Sequence, residues 1–212
     1  MKLSDHLLAR LRGKRLLIFD LDGTIADSSR LHATAFSKAL APFGIDVDYP
    51  SISGLNTTDA MRHCLLSNGV SIDDDLVADL VAEKQQLVRK MICEGLQPLP
   101  GVDDFLRWAR SRFRLAMVTS GSRGTVTLAL KALDYDSWFD PLICADDVDS
   151  TKPNPEGFLA ALKKTGVPSA EAFVFEDSAT GMLAAENARI ECCNVAPPIG
   201  FLMFAPDQLK EN

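Results

Sequence analysis

Apolar and polar residues form two different patterns along this chain, and the clearer one begins at about residue 102. From there, amphipathic stretches with helical spacing alternate with short apolar runs typical of buried strands. The predicted elements are helix 102–112, strand 114–118, helix 122–133, strand 141–145, a helix with Asn154 as cap and Pro155 at its first position, strand 173–175, helix 178–188 and a strand at 193–195. This alternation favours right-handed crossovers and a parallel, doubly wound sheet.

The four apolar residues Leu16–Phe19 predict one further strand of that sheet, because they show no polar alternation and fit a strand buried on both faces. A short helix is predicted ahead of this strand, at residues 3–12. Between the strand and residue 97 the pattern predicts helices and no strand, at about 28–43, 58–68 and 73–95 with a loop at 48–57.

Two prolines and a glycine at residues 98–101 mark a linker, after which the pattern changes. We therefore predict an α/β fold whose doubly wound, Rossmann-like core consists of residues 1–26 and 97–212. The helical stretch 27–96 is then an inserted cap domain.

Composition narrows the range of partners. Apolar residues make up 47% of the chain and charged residues 24%, and the net charge is −7 without a polybasic run. Neither a nucleic acid nor an anionic membrane surface is therefore an expected partner. Five cysteines without Cys-x-x-Cys spacing favour free thiols over disulfides or a zinc site. With no apolar run approaching 18 residues, these features lead us to expect a cytoplasmic protein.

Polar residues follow the predicted strands at their carboxyl ends. Asp20 and Asp22 follow the first strand, Thr119 and Ser120 the second, Lys152 the third, and Glu176 and Asp177 the fourth. Singly, each has a plain structural explanation, such as a helix cap, a turn or a surface lysine. In a parallel sheet, however, all these ends share one edge and one crevice.

The carboxylates of that set would repel one another. Two charges about 4 Å apart cost roughly 4 kcal/mol at an effective dielectric near 20. A cation would relieve the repulsion, and an all-oxygen set suits Mg²⁺, which prefers few carboxylates together with water and phosphate.

The motifs Asp20-Leu21-Asp22-Gly23-Thr24, Thr119-Ser120, Lys152-Pro153 and Phe175-Glu176-Asp177-Ser178 occur in this order. Together they resemble the four signature motifs of the haloacid dehalogenase-like phosphatase superfamily. The resemblance is nearest to the branch that contains β-phosphoglucomutase and fructose-1-phosphatase, and it extends to His32, Lys84 and the hinge at residues 97–101. It implies a Mg²⁺-dependent phosphatase acting on a small phosphorylated metabolite, such as a sugar or polyol monophosphate.

The resemblance implies a role for each carboxylate. Asp20 would be the nucleophile that forms an aspartyl-phosphate. Asp22 would be general acid toward the leaving alcohol and then general base toward water. Mg²⁺ would be held by Asp20, the backbone carbonyl of Asp22 and Asp177, with Glu176 either a ligand or in the surrounding shell.

Other residues would hold the phosphate and the sugar. Thr119 and the backbone of Ser120 would bind phosphate oxygens, and Lys152 would balance the charge. His32 lies on an apolar helix face, where a histidine is usually a satisfied core residue. A closing helical cap could nevertheless present His32, Asn56 and Lys84 to the sugar.

The protein is expected to be a monomer or weak dimer.

Several alternatives remain. Asp22 and Asp177 argue against dehalogenation, which needs neither a second aspartate nor a metal. A membrane ATPase lacks support because no membrane span is predicted. A non-catalytic module that binds a phosphorylated metabolite would keep the motifs without turnover. A β-phosphoglucomutase-type mutase is the serious alternative, although Thr57 occupies the position of the mutase's cap arginine unless Arg62 substitutes for it.

Overall fold

Five parallel strands form one sheet in the computed structural model, which describes residues 8–196 and 200–203. They are β1 Leu16–Phe19, β2 Arg114–Val118, β3 Leu142–Ile143, β4 Ala172–Glu176 and β5 Glu191–Asn194. The spatial order β3-β2-β1-β4-β5 places β1 at the centre. The order and the parallel pairing confirm the predicted doubly wound α/β fold.

Eight α-helices follow β1 among the described residues. They are α1 Ser29–Leu40, α2 Tyr49–Ile52, α3 Thr57–Ser67, α4 Asp74–Gly95, α5 Val102–Arg110, α6 Arg123–Ala132, α7 Glu156–Thr165 and α8 Ala179–Asn187. In this part of the chain, no helix is both long enough and apolar enough to cross a bilayer.

The central strand is buried on both faces, as its unbroken apolar run predicts. Leu17 and Phe19 belong to one apolar cluster, whereas Leu16 and Ile18 belong to another. Alternate side chains of a strand point to opposite faces, so the two clusters lie on the two sides of the sheet. The ring of Phe19 stacks on that of Phe175 with centroids 5.0 Å apart. Burying each such side chain contributes about 1.5–3 kcal/mol, which holds the end of β1 in a fixed position.

A third apolar cluster joins the helices of the 27–96 stretch. The long helix α4 contributes Val77 and Leu80 to this cluster, and further along it contributes Val88 and Ile92 to the main core. Lys84 lies between them on the same buried face. The cap and core boundaries at residues 26, 27, 96 and 97 remain a prediction, since α4 packs against both parts.

The entry to and the exit from the helical stretch lie side by side. Ala26 forms an antiparallel bridge with Pro98, and the amide of Leu99 donates to the carbonyl of Ile25 at 2.9 Å. The predicted linker is therefore a paired hinge rather than a loose connection. Pairing with the preceding strand end satisfies backbone groups that a free linker would leave to water.

Local boundaries differ from the pattern-based ones in several places. The loop predicted at 48–57 contains α2, which begins after Asp48 with Pro50 in its first turn. Strand β3 is shorter than predicted, and β5 begins two residues earlier, because pairing with β4 fixes its register. Pro155, rather than Asn154, occupies the cap position of α7. The helix predicted at 3–12 falls partly outside the described residues, of which 8–10 are helical.

All five cysteines are free, as expected, although only Cys64 and Cys144 are buried.

Candidate active site

The end of β1 sets the position of the first carboxylate. Asp20 follows Phe19 directly, and its amide donates to the carbonyl of Phe175 at 3.1 Å. This bond ties Asp20 to the neighbouring strand β4. The chain then turns through Gly23, whose φ of +82° is a conformation that favours glycine. Asp22 precedes this turn and forms a bridge with Ala26 after it.

Lys152 lies between two buried carboxylates. Its Nζ is 2.5 Å from Oδ1 of Asp20 and also contacts Oε1 of Glu176. Burial lowers the pKa of Lys152, but the two carboxylates raise it above its ordinary value, so the ammonium stays protonated. Burial also raises the pKa of Asp20 well above its usual range, although Lys152 opposes that shift. One ammonium therefore faces two carboxylates and can balance the charge of only one of them.

Glu176 is fully buried and its oxygens are already satisfied. Its Oε2 accepts hydrogen bonds from the amides of Asp177 and Ser178 at 2.9 Å, and also from the hydroxyl of Ser178. A Cβ atom on Gly181 would lie 1.7 Å from Oε1, so the site requires glycine there. Of the two roles that the sequence left open for Glu176, this geometry favours the outer one, in which it orients Lys152 and the Asp177 loop.

Asp177 lies against the turn that follows Asp20. Its Oδ1 accepts from the hydroxyl of Thr24 at 3.0 Å, and a Cβ on Gly23 would lie 2.2 Å from its Oδ2. Burial and the neighbouring charge of Glu176 raise the pKa of Asp177 to about 6. Asp177 therefore lies where a cation would be most stabilising.

Asp22 is held by residues at the start of the helical stretch. Its Oδ1 is 2.5 Å from the hydroxyl of Ser28 and 3.2 Å from Nε2 of His32. Burial raises the pKa of Asp22, but the electrostatic interaction with His32, together with the hydrogen bonds from His32 and Ser28, lowers it below its ordinary value. Asp22 is therefore ionised in this arrangement.

The two residues after β2 use their hydroxyls differently. Oγ1 of Thr119 accepts from the amide of Gly121 at 3.1 Å, whereas Oγ of Ser120 donates to the carbonyl of Gly54 at 2.7 Å. Because the hydroxyl of Ser120 binds the helical cap, its backbone amide is the group left for a ligand. Both residues are buried beside Asp20 in the same chamber.

His32 and Lys84 form one connected pair above the carboxylates. Nζ of Lys84 is 2.9 Å from Nδ1 of His32 and 3.3 Å from the hydroxyl of Thr57. A protonated lysine only donates, so Nδ1 accepts and Nε2 carries the hydrogen that reaches Asp22. His32 is therefore satisfied at both ring nitrogens, but it lines the chamber rather than the apolar core, because α4 brings Lys84 to it from 52 residues away.

Asn56 is not among the residues that line the chamber. Its side chain caps α3 by accepting from the amide of Asp59 at 2.9 Å, and it donates to the hydroxyl of Thr151 at 2.9 Å. Asn56 therefore bridges the cap and the core at the rim of the chamber.

Tyr49, Ser53 and Gly54 line the chamber although the sequence pattern did not single them out. The hydroxyl of Thr180 donates to the carbonyl of Ser53 at 3.3 Å, and a Cβ on Gly54 would lie 2.0 Å from that hydroxyl. Gly54, with φ of +84°, permits this close approach of cap and core. Its glycine was the one signal in the sequence, but only the fold shows what it approaches.

Comparison with known proteins identifies the family of this chain. A profile described as haloacid dehalogenase-like hydrolase matches residues 17–195. The chain belongs to this family. It is 33% identical to fructose-1-phosphate phosphatase YqaB of Escherichia coli (strain K12) over 84% of this chain and 95% of that protein.

Two solved structures of family members have the same fold. The first, CbbY from Rhodobacter sphaeroides in complex with phosphate, has a TM-score of 0.77 at 27% identity and covers 86% of both chains. The second, β-phosphoglucomutase from Clostridium difficile, has a TM-score of 0.80 at 25% identity and covers 86% of this chain and 85% of that one.

The donor set of this family member fits Mg²⁺. Asp20, Asp22 and Asp177 line the same chamber, and Lys152 contacts Asp20 and Glu176. Among the described residues, no group of three histidine, cysteine or acidic side chains forms a metal cluster by itself. The remaining ligands would therefore be the backbone carbonyl, water and phosphate, which Mg²⁺ accepts. That these residues bind Mg²⁺ is a proposal.

Lys84 gives a pH-dependent prediction for stability. Its side chain is 2% exposed, and burial lowers its pKa from 10.5 to about 8, although Asp22 opposes the shift. At a pH between about 8 and 10.5, Lys84 is protonated in the unfolded chain but largely neutral in the folded one. The free energy of unfolding therefore rises with pH over this range. Between pH 7 and pH 10.5, the free energy of unfolding of wild type should rise by up to about 3 kcal/mol relative to that of Lys84→Met. This follows from about 1.4 kcal/mol for each unit of the pKa shift.

Urea unfolding of both proteins across that pH range measures the difference. Lys90→Met is the matched control, because Lys90 lies on the same helix with an exposed side chain. Equal pH dependence in wild type and Lys84→Met would contradict the expected shift.

Proposed function

We propose that this protein is a Mg²⁺-dependent phosphatase that hydrolyses a small phosphorylated metabolite, a sugar or polyol monophosphate. The observation that carries the proposal is the chamber itself. Asp20 lies at its base in contact with Lys152, while Asp22 is held above it by Ser28 and His32. The name of the relative from E. coli, a fructose-1-phosphate phosphatase, supports the same substrate class.

In the first half of the reaction a carboxylate oxygen of Asp20 attacks phosphorus and the ester P–O bond breaks. The leaving alkoxide takes a proton from Asp22. Asp22 must therefore take up a proton from water before this step, while the Nε2–H of His32 donates a hydrogen bond that holds the Asp22 side chain in place. Lys152 stabilises the charge on the phosphoryl oxygens, which the Thr119 hydroxyl and the Ser120 amide position.

In the second half, water attacks the aspartyl-phosphate and gives its proton to the ionised Asp22 carboxylate. The bond between Asp20 and phosphorus breaks, and inorganic phosphate leaves. Mg²⁺, when bound by Asp20, Asp177 and the Asp22 carbonyl, would neutralise charge on the transferring phosphoryl group.

The chamber favours a phosphatase over a mutase. A mutase needs a second cationic site in the cap for the other phosphate of a bisphosphate. Thr57, at the position of the mutase's cap arginine, lines the chamber but carries no charge. Arg62 does not line the chamber and instead pairs with Asp74 at 2.5 Å. The one lysine of the cap that lines the chamber, Lys84, is engaged by His32.

Metal removal tests the proposal. With p-nitrophenyl phosphate as substrate, EDTA should lower turnover to background, and added Mg²⁺ should restore it. Activity that persists in EDTA would contradict the metal assignment. A non-catalytic binding module would give no turnover under any of these conditions.

The mutase alternative requires a separate assay. β-Glucose 1-phosphate with a trace of β-glucose 1,6-bisphosphate should release inorganic phosphate without forming glucose 6-phosphate. Rapid isomerisation without phosphate release would identify a mutase.

The cytoplasmic location and the monomeric or weakly dimeric state remain predictions. Cell fractionation measures the location, and light scattering measures the oligomeric state.

A further inference from the structure

An open cleft adjoins the catalytic chamber where the cap meets the core. Its volume is about 390 Å³, whereas that of the chamber is about 40 Å³. Thr57 and Ser120 line both spaces. We call this second space the outer cleft. It runs between the start of α3 on the cap side and residues 145–151 on the core side.

The chamber has room for a phosphoryl group but not for a sugar. A single water needs about 10–15 Å³ of such volume, so the chamber holds about three or four waters. A phosphoryl group bound at Asp20 would fill it. The rest of the substrate must then extend past Thr57 and Ser120, where the outer cleft provides the space.

We propose that the outer cleft receives the leaving group, and that it selects an uncharged or cationic polyhydroxy compound against one that carries a second phosphate or a carboxylate. This inference rests on the proposed phosphatase function and names its substrate class more narrowly.

The walls of the outer cleft supply the chemistry for this choice. Hydroxyl and amide side chains alternate there with three carboxylates, those of Asp59, Asp146 and Asp149. Among the described residues that line it there is no lysine or arginine. Carboxylates, amides and hydroxyls accept hydrogen bonds from sugar hydroxyls or an ammonium group, whereas carboxylates repel an anion.

The arginines near the outer cleft already have partners. Arg123 pairs with Asp147, and its amide donates to Asp146 at 2.6 Å. Arg89 donates to the hydroxyl of Thr125 at 3.1 Å and to Gln85 at 3.4 Å, behind the wall that Gln85 forms. Neither guanidinium lines the space that a leaving group would enter.

Matched substrates test the selection. Fructose 1-phosphate should exceed fructose 1,6-bisphosphate in kcat/KM, and sorbitol 6-phosphate should exceed 6-phosphogluconate, each by at least about tenfold. Glucosamine 6-phosphate should be hydrolysed at least as well as glucose 6-phosphate. Equal or reversed preferences would overturn the inference, as would hydrolysis of p-nitrophenyl phosphate with no sugar or polyol phosphate accepted. If p-nitrophenyl phosphate also fails, the proposed function itself is wrong.

A charge substitution assigns the preference to the outer cleft. Asp149→Lys should narrow the ratio between fructose 1-phosphate and fructose 1,6-bisphosphate at least about fivefold, chiefly through the KM of the bisphosphate. Asp136→Lys is the matched control. This exposed aspartate lies on the loop before β3, at the amino end of the strand, whereas the outer cleft lies at the carboxyl end. A structural defect would affect both substrates alike, and an unchanged ratio in Asp149→Lys would overturn the assignment.

Discussion

Asp20→Asn should reduce turnover of p-nitrophenyl phosphate by more than about a thousandfold while leaving the protein folded. The amide keeps the shape of the side chain but removes the attacking charge. Because burial and the neighbouring carboxylates raise the pKa of Asp20, its charge is unfavourable in the folded protein. The variant should therefore have a thermal unfolding midpoint no lower than that of wild type.

Asp27→Asn serves as the control for this substitution. Asp27 is an exposed carboxylate on the same loop, so losing its charge should change neither activity nor stability by much. Retention of more than about a tenth of wild-type turnover in Asp20→Asn would exclude Asp20 as the nucleophile.

Lys152→Met should abolish activity and also destabilise the protein. The side chain of Lys152 is 4% exposed, and it is the cation that contacts both Asp20 and Glu176. Removing one partner of a buried ion pair costs about 3–5 kcal/mol, because it leaves charge buried without compensation. Urea unfolding measures this cost, and the p-nitrophenyl phosphate assay measures the loss of turnover.

A double variant separates the two effects of Lys152. Lys152→Met combined with Glu176→Gln removes one of the unpaired charges, so part of the lost stability should return while activity stays absent. Lys164→Met, on the exposed side of α7, is the matched control. A single Lys152→Met variant as stable as Lys164→Met would show that the contacts of Lys152 contribute little to folding.

The sequence was sufficient to predict the sheet and the residues at its edge. Short apolar runs alternating with amphipathic helices leave few topologies open, because parallel strands need right-handed crossovers. Once the sheet is parallel, residues that follow different strands must meet at one edge. The sequence alone therefore predicts that Asp20, Thr119, Lys152 and Asp177 lie together.

Only the tertiary structure decided what the residues of the cap contact. Lys84 was predicted as a cap residue for the sugar; it is buried in α4 and lines the chamber, with its ammonium 2.9 Å from Nδ1 of His32. Asn56 was expected to face the sugar; it caps α3, bridges to Thr151 and lines the outer cleft, so that role stays a prediction. These contacts join residues far apart in the chain. No local period encodes such pairs, because they depend on how α4 and the 48–57 segment pack over the sheet.

Glu176 shows, at a single residue, what the sequence determines and what only the tertiary structure determines. Its position at the carboxyl end of β4 follows from the sequence, and so does its place beside Asp177. Its side chain is committed to Lys152, two backbone amides and the hydroxyl of Ser178 by the close packing of the Asp177 loop against Gly181. Which of two neighbouring carboxylates is left free for a cation depends on those hydrogen bonds, and they form only when the loop and α8 pack together.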